Sequence, residues 1–344
     1  HMKTVYRAKA PLRLGLGGGG TDLAAYASQF GGAIINATIS MYARVSIEPL
    51  DGKQIEFISP DRGMSAQIPR AEQLELHKDF ALHCGVFNRL VRDYHIPATP
   101  FRLTTSVDAA PGSGLGSSST LVVAIIAAFA EWHRLPLGDY EIAQLAYEIE
   151  RIDLGMAGGK QDQFAATFGG FNFMEFLKDD SVLVNPLRMR QNLVSELEHQ
   201  CVLIHTKTSR YSSDIINEQI KSVTAAGGQG KMDALHQVKN SAYIIKKALL
   251  TGDFVALGQA LHESWLQKKR SAAHISTPQI DSLYETAQKA GAIGGKISGA
   301  GGGGYMFLIC SGDNRYAVID ALKKTDAEVV PFSFTPQGVL SWRI

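Results

Sequence analysis

The residues best suited to chemistry in this sequence gather around three glycine blocks, Gly15–Gly20, Gly112–Gly116 and Gly299–Gly304. The second, Pro111-Gly-Ser-Gly-Leu-Gly-Ser-Ser-Ser119, lies between a Thr- and Val-containing strand pattern at 101–107 and a buried helical run at 118–134. Small residues let a backbone turn its N–H groups inward, and the positive end of the following helix adds to them, so the segment suits a phosphate. It is not a lysine-bearing phosphate loop. Where glycine does precede lysine, at Gly155–Lys160 and Gly291–Lys296, the next residues are Gln161 and Ile297 rather than Ser or Thr. The hydroxyls of Ser117, Ser118 and Ser119 could serve a magnesium ion riding on a triphosphate. A tight turn capped by serine is the plainer alternative, but three glycines and three serines exceed what a turn needs.

The first block, Gly15-Leu-Gly-Gly-Gly-Gly20, formally satisfies G-x-G-x-x-G. A dinucleotide site also wants an acid about 20 residues on for the ribose hydroxyls. No Asp or Glu occurs between Leu23 and Ile47, and Pro11 interrupts the strand expected to lead in. A nicotinamide dehydrogenase is set aside.

Taken together and in order, Ala10–Asp22, Pro111–Ser119 and Lys296–Gly304 resemble the three motifs of the GHMP kinases, the superfamily of galactokinase, homoserine kinase, mevalonate kinase and phosphomevalonate kinase. One motif alone is weak; the ordered trio, spread over nearly the whole chain, is specific. The resemblance implies an α+β GHMP kinase fold of two α/β domains, the first like domain 2 of ribosomal protein S5 and the second ferredoxin-like. The active site would lie in the cleft between them. It further implies ATP as donor, its phosphates wrapped by Pro111, Gly112, Ser113, Gly114, Leu115, Gly116, Ser117, Ser118 and Ser119. Ser118 and Glu150 would hold Mg2+. By itself Glu150 reads as a solvated acid on a helix face.

Asp162, in Gly158-Gly-Lys-Gln-Asp-Gln163, matches the catalytic aspartate of the superfamily and is the candidate base for a sugar hydroxyl. A loop aspartate unaided is more often a turn former. The resemblance puts Arg13 beside it, where a positive charge keeps the carboxylate ionised and offsets charge on the transferring group. Lys160 is a further cation in the same loop. Thr21 and Asp22 match the part of the first motif that meets sugar hydroxyls. Here the sequence departs from galactokinase: Gly19 and Gly20 stand where Glu-His precedes Thr-Asp, which should open the pocket and change its substrate. The third block, with Gly301 and Gly302, would close the site.

Within the superfamily, the first-motif and Asp162 segments, with Trp265–Lys269 and Ile275–Asp281, are most similar to kinases of the anomeric hydroxyl of a sugar phosphate. The implied reaction turns D-glycero-D-manno-heptose 7-phosphate into the 1,7-bisphosphate, on the route to GDP-heptose and surface glycans. A phosphorylated substrate needs cations away from the ATP, and Lys207, Arg210 and the Lys268–Arg270 cluster are candidates. A Lys-Lys-Arg run at a helix end can instead complement the dipole and face water. Two other readings stand beside this one: a kinase of an unphosphorylated sugar such as L-fucose, and a sugar sensor without turnover. Asp162, Arg13, Glu150 and Ser118 count against the sensor.

These residues must be positioned by ordinary elements. Alternation predicts strands over 42–48 and 54–58, paired through an Asp51-Gly52 turn, and an amphipathic helix over 139–152. Helical patterns dominate after residue 195, and two domains, 3–190 and 195–344, are expected to meet near 180–200. His1-Met2 reads as an appended dipeptide and is left out of this reading. With 45% hydrophobic residues, 19% charged and a net charge of +1, the chain can bury a large core and is no general binder of nucleic acid or membrane surfaces. Three scattered cysteines read as reduced thiols of a cytoplasmic protein. No apolar run is long enough to span a bilayer, and oligomeric state is not legible.

Overall fold

The computed structural model describes residues 2–207, 229–271, 275–298 and 304–344. Its first half is organised by two long antiparallel strands, β1 (Tyr6–Gly17) and β2 (Gly32–Pro49), joined through helix α1 (Ala24–Phe30). Then follow β3 (Gln54–Ser59), β4 (Met64–Pro69), helix α2 (Ala81–Tyr94) and β5 (Phe101–Val107). Helices α3 (Ser117–His133), α4 (Asp139–Glu148) and α5 (Gln161–Phe168) precede β6 (Phe171–Phe176) and β7 (Val182–Pro186). Helix α3 is apolar nearly all round, so it is buried, packing with α2 and β5 through Phe87, Phe101 and Phe129.

The second half comprises α6 (Gln191–Gln200), β8 (Cys201–His205), α7 (Gln229–Thr251), α8 (Phe254–Ser271), α9 (Pro278–Ala290), β9 (Ala292–Ile297), β10 (Tyr305–Cys310), α10 (Arg315–Lys323), β11 (Glu328–Val329) and β12 (Leu340–Arg343). Strands β11-β8-β10-β9 form a four-stranded antiparallel sheet. One face is covered by α9 and α10; the other meets α8 and the first sheet in a shared core of Leu12, Leu14, Leu203, Leu257, Leu261 and Phe307. Strand β12 returns to pair with β1, so the segment from 195 to 344 also contributes a strand to the first sheet.

That eight-stranded sheet runs β12-β1-β2-β5-β3-β4, with β6 and β7 added along the first half of β2. The expected β2–β3 hairpin does not form. Strand β5 sits between them, antiparallel to β2 and parallel to β3, and the Asp51-Gly52 turn only steps across its start. Fully buried Phe101 and Leu103 explain why β5 takes an inner position. Nor does Pro11 end the first strand. It occupies a register shift in the β1–β2 ladder, where proline's missing N–H is tolerated.

Candidate active site

The register shift between Pro11 and Arg13 re-aims the strand where its chemistry begins. Arg13 is only 3% exposed and its guanidinium is fixed on three sides. Nε donates to Asp162 Oδ1 at 2.7 Å, while Nη1 donates to the Gly114 carbonyl at 2.7 Å and to Ser298 Oγ at 3.2 Å. The Arg13 backbone N–H donates to the Leu115 carbonyl. One residue thus ties the first block to the second, to the candidate base and to the start of the third.

In the phosphate loop Gly112, Gly114 and Gly116 all lie in the left-handed region, the backbone pattern that makes an anion-binding concavity. At Gly116 the requirement is double. It begins α3 at a φ of 75°, and an added Cβ would come within 3.0 Å of the Asp162 carboxyl carbon. The Ser117 hydroxyl donates to the Ala109 carbonyl and braces the loop from within, and Ser113 Oγ does the same at Ala110. Ser118 is half-buried and lines a cavity of about 220 Å³ beside Pro111. Apolar Leu82, Leu121 and Met156 share that wall with His83. Burial lowers His83 to a pKa of about 3, and its neutral ring meets Thr105 Oγ1 at 2.8 Å and leaves Nδ1 without a partner. Sequence reading missed this cavity, because its lining comes from several separate segments between Ser59 and Met156.

Asp162 stands in the first turn of α5, and that helix start is held by Asp22. Asp22 Oδ2 accepts the backbone N–H groups of Lys160 at 2.9 Å and Gln161 at 3.1 Å, in a space only a glycine at 159 leaves open. Arg151 Nε donates to the Gly159 carbonyl and braces the same loop. Lys160 departs from expectation. As the residue before the helix it is buried, its ammonium meeting the Asp180 carbonyl and carboxylate and the Tyr147 ring. Its charge is spent there, on the wall of a second cavity of about 230 Å³ that Asp22 also lines. Thr21 likewise turns inward: fully buried, its hydroxyl bridges Gly18 and Ala33 and shapes the loop. Gly20 of that loop has a φ of 98°.

The helix expected over 139–152 gives way to a π-helical turn over Ile149–Asp153, the kind of irregularity that re-aims a side chain. It buries Glu150 to 1% exposure, against Gln163 Nε2 at 2.9 Å and Arg151 at 3.5 Å. Burial pushes the Glu150 carboxyl above its usual range. Gln163 Nε2 also reaches Ser119, and Gln163 Oε1 has no partner. A buried carboxylate, a serine at the loop and an orphaned amide oxygen form a hard-oxygen donor set of the sort magnesium takes. Among the described residues no group of three or more His, Cys, Asp or Glu is placed to hold a metal.

Gly304, the described end of the third block, lies against the second. Gly304 packs against Ser113, Tyr305 N–H donates to the Ser113 carbonyl, and Thr206 N–H donates to Gly304. Gly301, Gly302 and Arg210 lie outside the described residues. Lys207 is not brought into the cleft: exposed, it pairs with Glu328 on the β11 edge. Two other lysines, Lys268 on α8 and Lys296 on β9, are each only 5% exposed. An added Cβ at Gly19 would lie 2.9 Å from Lys268 Nζ. Burial lowers Lys268 to a pKa of about 8 despite attraction to Asp22 and Asp162. Burial, with Lys268 and Arg13 nearby, takes Lys296 well below the usual lysine range. The signal for Lys296 was a lysine in a strand of otherwise apolar and glycine residues.

Residues 81–170 match the family model described as GHMP kinases N terminal domain, and residues 245–328 that described as GHMP kinases C terminal. The chain is 45% identical over 343 residues, covering all of both proteins, to a D-glycero-alpha-D-manno-heptose 7-phosphate kinase of Campylobacter jejuni. It matches the crystal structure of a D-glycero-D-manno-heptose 1-phosphate kinase from Bacteroides thetaiotaomicron with a TM-score of 0.84 and 42% identity, over 98% of this chain and 99% of that one. An L-fucokinase/L-fucose-1-P guanylyltransferase of Bacteroides fragilis is 23% identical over 88% of this chain and 34% of its own length. Among the described residues no helix is long and apolar enough to cross a membrane.

Proposed function

The chain belongs to the GHMP kinase family, and from that premise we propose that it transfers the γ-phosphoryl group of ATP to the anomeric hydroxyl of D-glycero-D-manno-heptose 7-phosphate, giving the 1,7-bisphosphate. The observation that carries the reading is the Arg13 clamp: one guanidinium holds the Asp162 carboxylate and the Gly114 carbonyl of the phosphate loop, each at 2.7 Å. A carboxylate so fixed faces the place where a terminal phosphorus would sit over that loop. The heptose 7-phosphate assignment is supported by the full-length 45% relative; the L-fucose alternative has a much weaker one.

In this reading the glycine loop and the α3 N-terminus cradle the triphosphate, and the nucleoside enters the cavity lined by Leu82, Leu121 and Met156. Ser118, next to the Ser119 that meets the Glu150–Gln163 cluster, and Glu150 would hold Mg2+, which would supply charge neutralisation on the phosphates. Asp162 orients the sugar hydroxyl and takes its proton as the new O–P bond forms and the bond to ADP breaks. Arg13 keeps Asp162 ionised until then and offsets negative charge on the group in flight. Asp22 acts at one remove through Oδ2, by fixing the turn that carries Asp162. The test is an ADP-release assay over a panel of D-glycero-D-manno-heptose 7-phosphate, L-fucose and galactose, with the product identified by phosphorus NMR. Heptose 7-phosphate is expected to give the highest kcat/KM and an anomeric phosphate; L-fucose as the better substrate would replace the reading.

A further inference from the structure

Strand β12 pairs with β1 over Tyr6–Lys9, so edge N–H groups further along β1 must find other acceptors. The Arg13 N–H donates to the Leu115 carbonyl, and the Gly15 N–H donates to Ser298 Oγ at 3.3 Å. The same hydroxyl oxygen accepts Arg13 Nη1 at 3.2 Å. Ser298 follows β9 and is only 1% exposed. A serine oxygen has two acceptor positions, and β1 fills both, one from its main chain and one from the guanidinium. The guanidinium's other acceptors, Asp162 and Gly114, come from the first half of the chain; Ser298 comes from the second. The backbone of Ser298 is held as well. Its N–H donates to the Tyr305 carbonyl at 3.1 Å, and the Tyr305 N–H donates to the Ser113 carbonyl at 3.2 Å. The hydroxyl on Arg13 is thus tied through β10 to the phosphate loop that the guanidinium also touches.

We propose that Ser298 is a positioning residue for phosphoryl transfer, fixing the angle at which Arg13 presents its guanidinium to Asp162 and to the group in flight. This rests on the reading of Asp162 as the proton acceptor of a sugar kinase and adds to it a part for the second half of the chain. Asp162 on Nε and Gly114 on Nη1 leave the planar fork free to tilt about the line that joins them. The second Nη1 hydrogen, taken by Ser298, stops that tilt. The tilt matters because a donor stabilises developing charge only where it already points at it. Without the hydroxyl, one charged donor and the Gly15 N–H lose their acceptor. The loss falls where the Arg13 charge is used, on the transition state, and so on kcat rather than on either KM.

The test is steady-state kinetics with ATP and D-glycero-D-manno-heptose 7-phosphate for wild type, Ser298→Ala and Ser298→Cys, with binding sites counted by calorimetric titration with Mg-ADP. Counting sites removes lost folded protein from kcat. Cysteine keeps the shape of serine but accepts hydrogen bonds weakly, so it decides the matter if the alanine variant does not fold. In each folded variant kcat per site is expected to fall roughly tenfold, the scale of one hydrogen bond to a charged group, while KM for ATP and for the sugar stay within about threefold. A merely structural serine would lower the number of sites and leave kcat per site unchanged. A kcat per site within about threefold of wild type, or a loss carried by KM, overturns the assignment. A wild type that does not turn over the heptose 7-phosphate overturns the parent reading instead.

Discussion

Replacing Lys268 by methionine should make the protein more stable. The lysine is 5% exposed, and burial brings its pKa from 10.5 to about 8 even after the attraction of Asp22 and Asp162. A tenfold change in proton affinity corresponds to ~1.4 kcal/mol, so below pH 8 the folded state carries a penalty of about 3 kcal/mol that a neutral side chain of similar length escapes. The sign fixes the pH window. Above pH 10.5 the lysine is neutral in both states and the penalty is absent. As the pH falls from 10.5 the unfolded chain takes the proton first, and stability is lost until the folded pKa near 8 is passed. Below that the full cost stands. Urea unfolding followed by fluorescence, with Trp265 one turn earlier on the same helix, should show the variant ahead by about 3 kcal/mol at pH 7 and the gap closing toward pH 10.5. A variant less stable than wild type, or a gap that ignores pH, would refute the reasoning that burying this charge costs stability.

Two further outcomes follow from the same geometry. Asp162→Asn should lower kcat roughly 10²-fold or more, the scale of lost acid–base help, with KM for ATP changed only a few-fold; steady-state kinetics in which kcat holds would show that Asp162 is not the proton acceptor. Glu150→Gln should raise the magnesium concentration needed for half-maximal rate, and an unchanged metal titration would remove Glu150 from the magnesium site.

The convergence of the first and second blocks was legible because glycine runs at strand-to-helix junctions have few other uses. The resemblance of the ordered blocks to the family's motifs suggested one site. The partnership of Arg13 with Asp162 spans 149 positions and no local pattern encodes it; only resemblance put the two together. Lys160 shows the limit of such transfer. Its place in the loop was read correctly, yet the direction of its side chain depends on Asp180, twenty residues on, which offers both a carbonyl and a carboxylate. The β2–β3 hairpin was misread for a related reason: alternation identifies strands but not neighbours, and a more deeply buried strand from residue 101 onward took the intervening place. Glu150 was hidden by a turn of helix geometry. On a regular α-helix the sequence pattern leaves it as readily on the surface, whereas the π turn carries it inside.

The buried cations of this protein differ in what fixes them. Arg13 is held by three acceptors from three distant parts of the chain; a planar fork with donors in fixed directions can satisfy all three, and a lysine could not. That position is therefore constrained by the acceptors it serves. Burial disfavours the charge of both Lys268 and Lys296, but Asp22 and Asp162 attract the first, whereas Lys268 and Arg13 repel the second. The same desolvation is thus offset at one lysine and reinforced at the other.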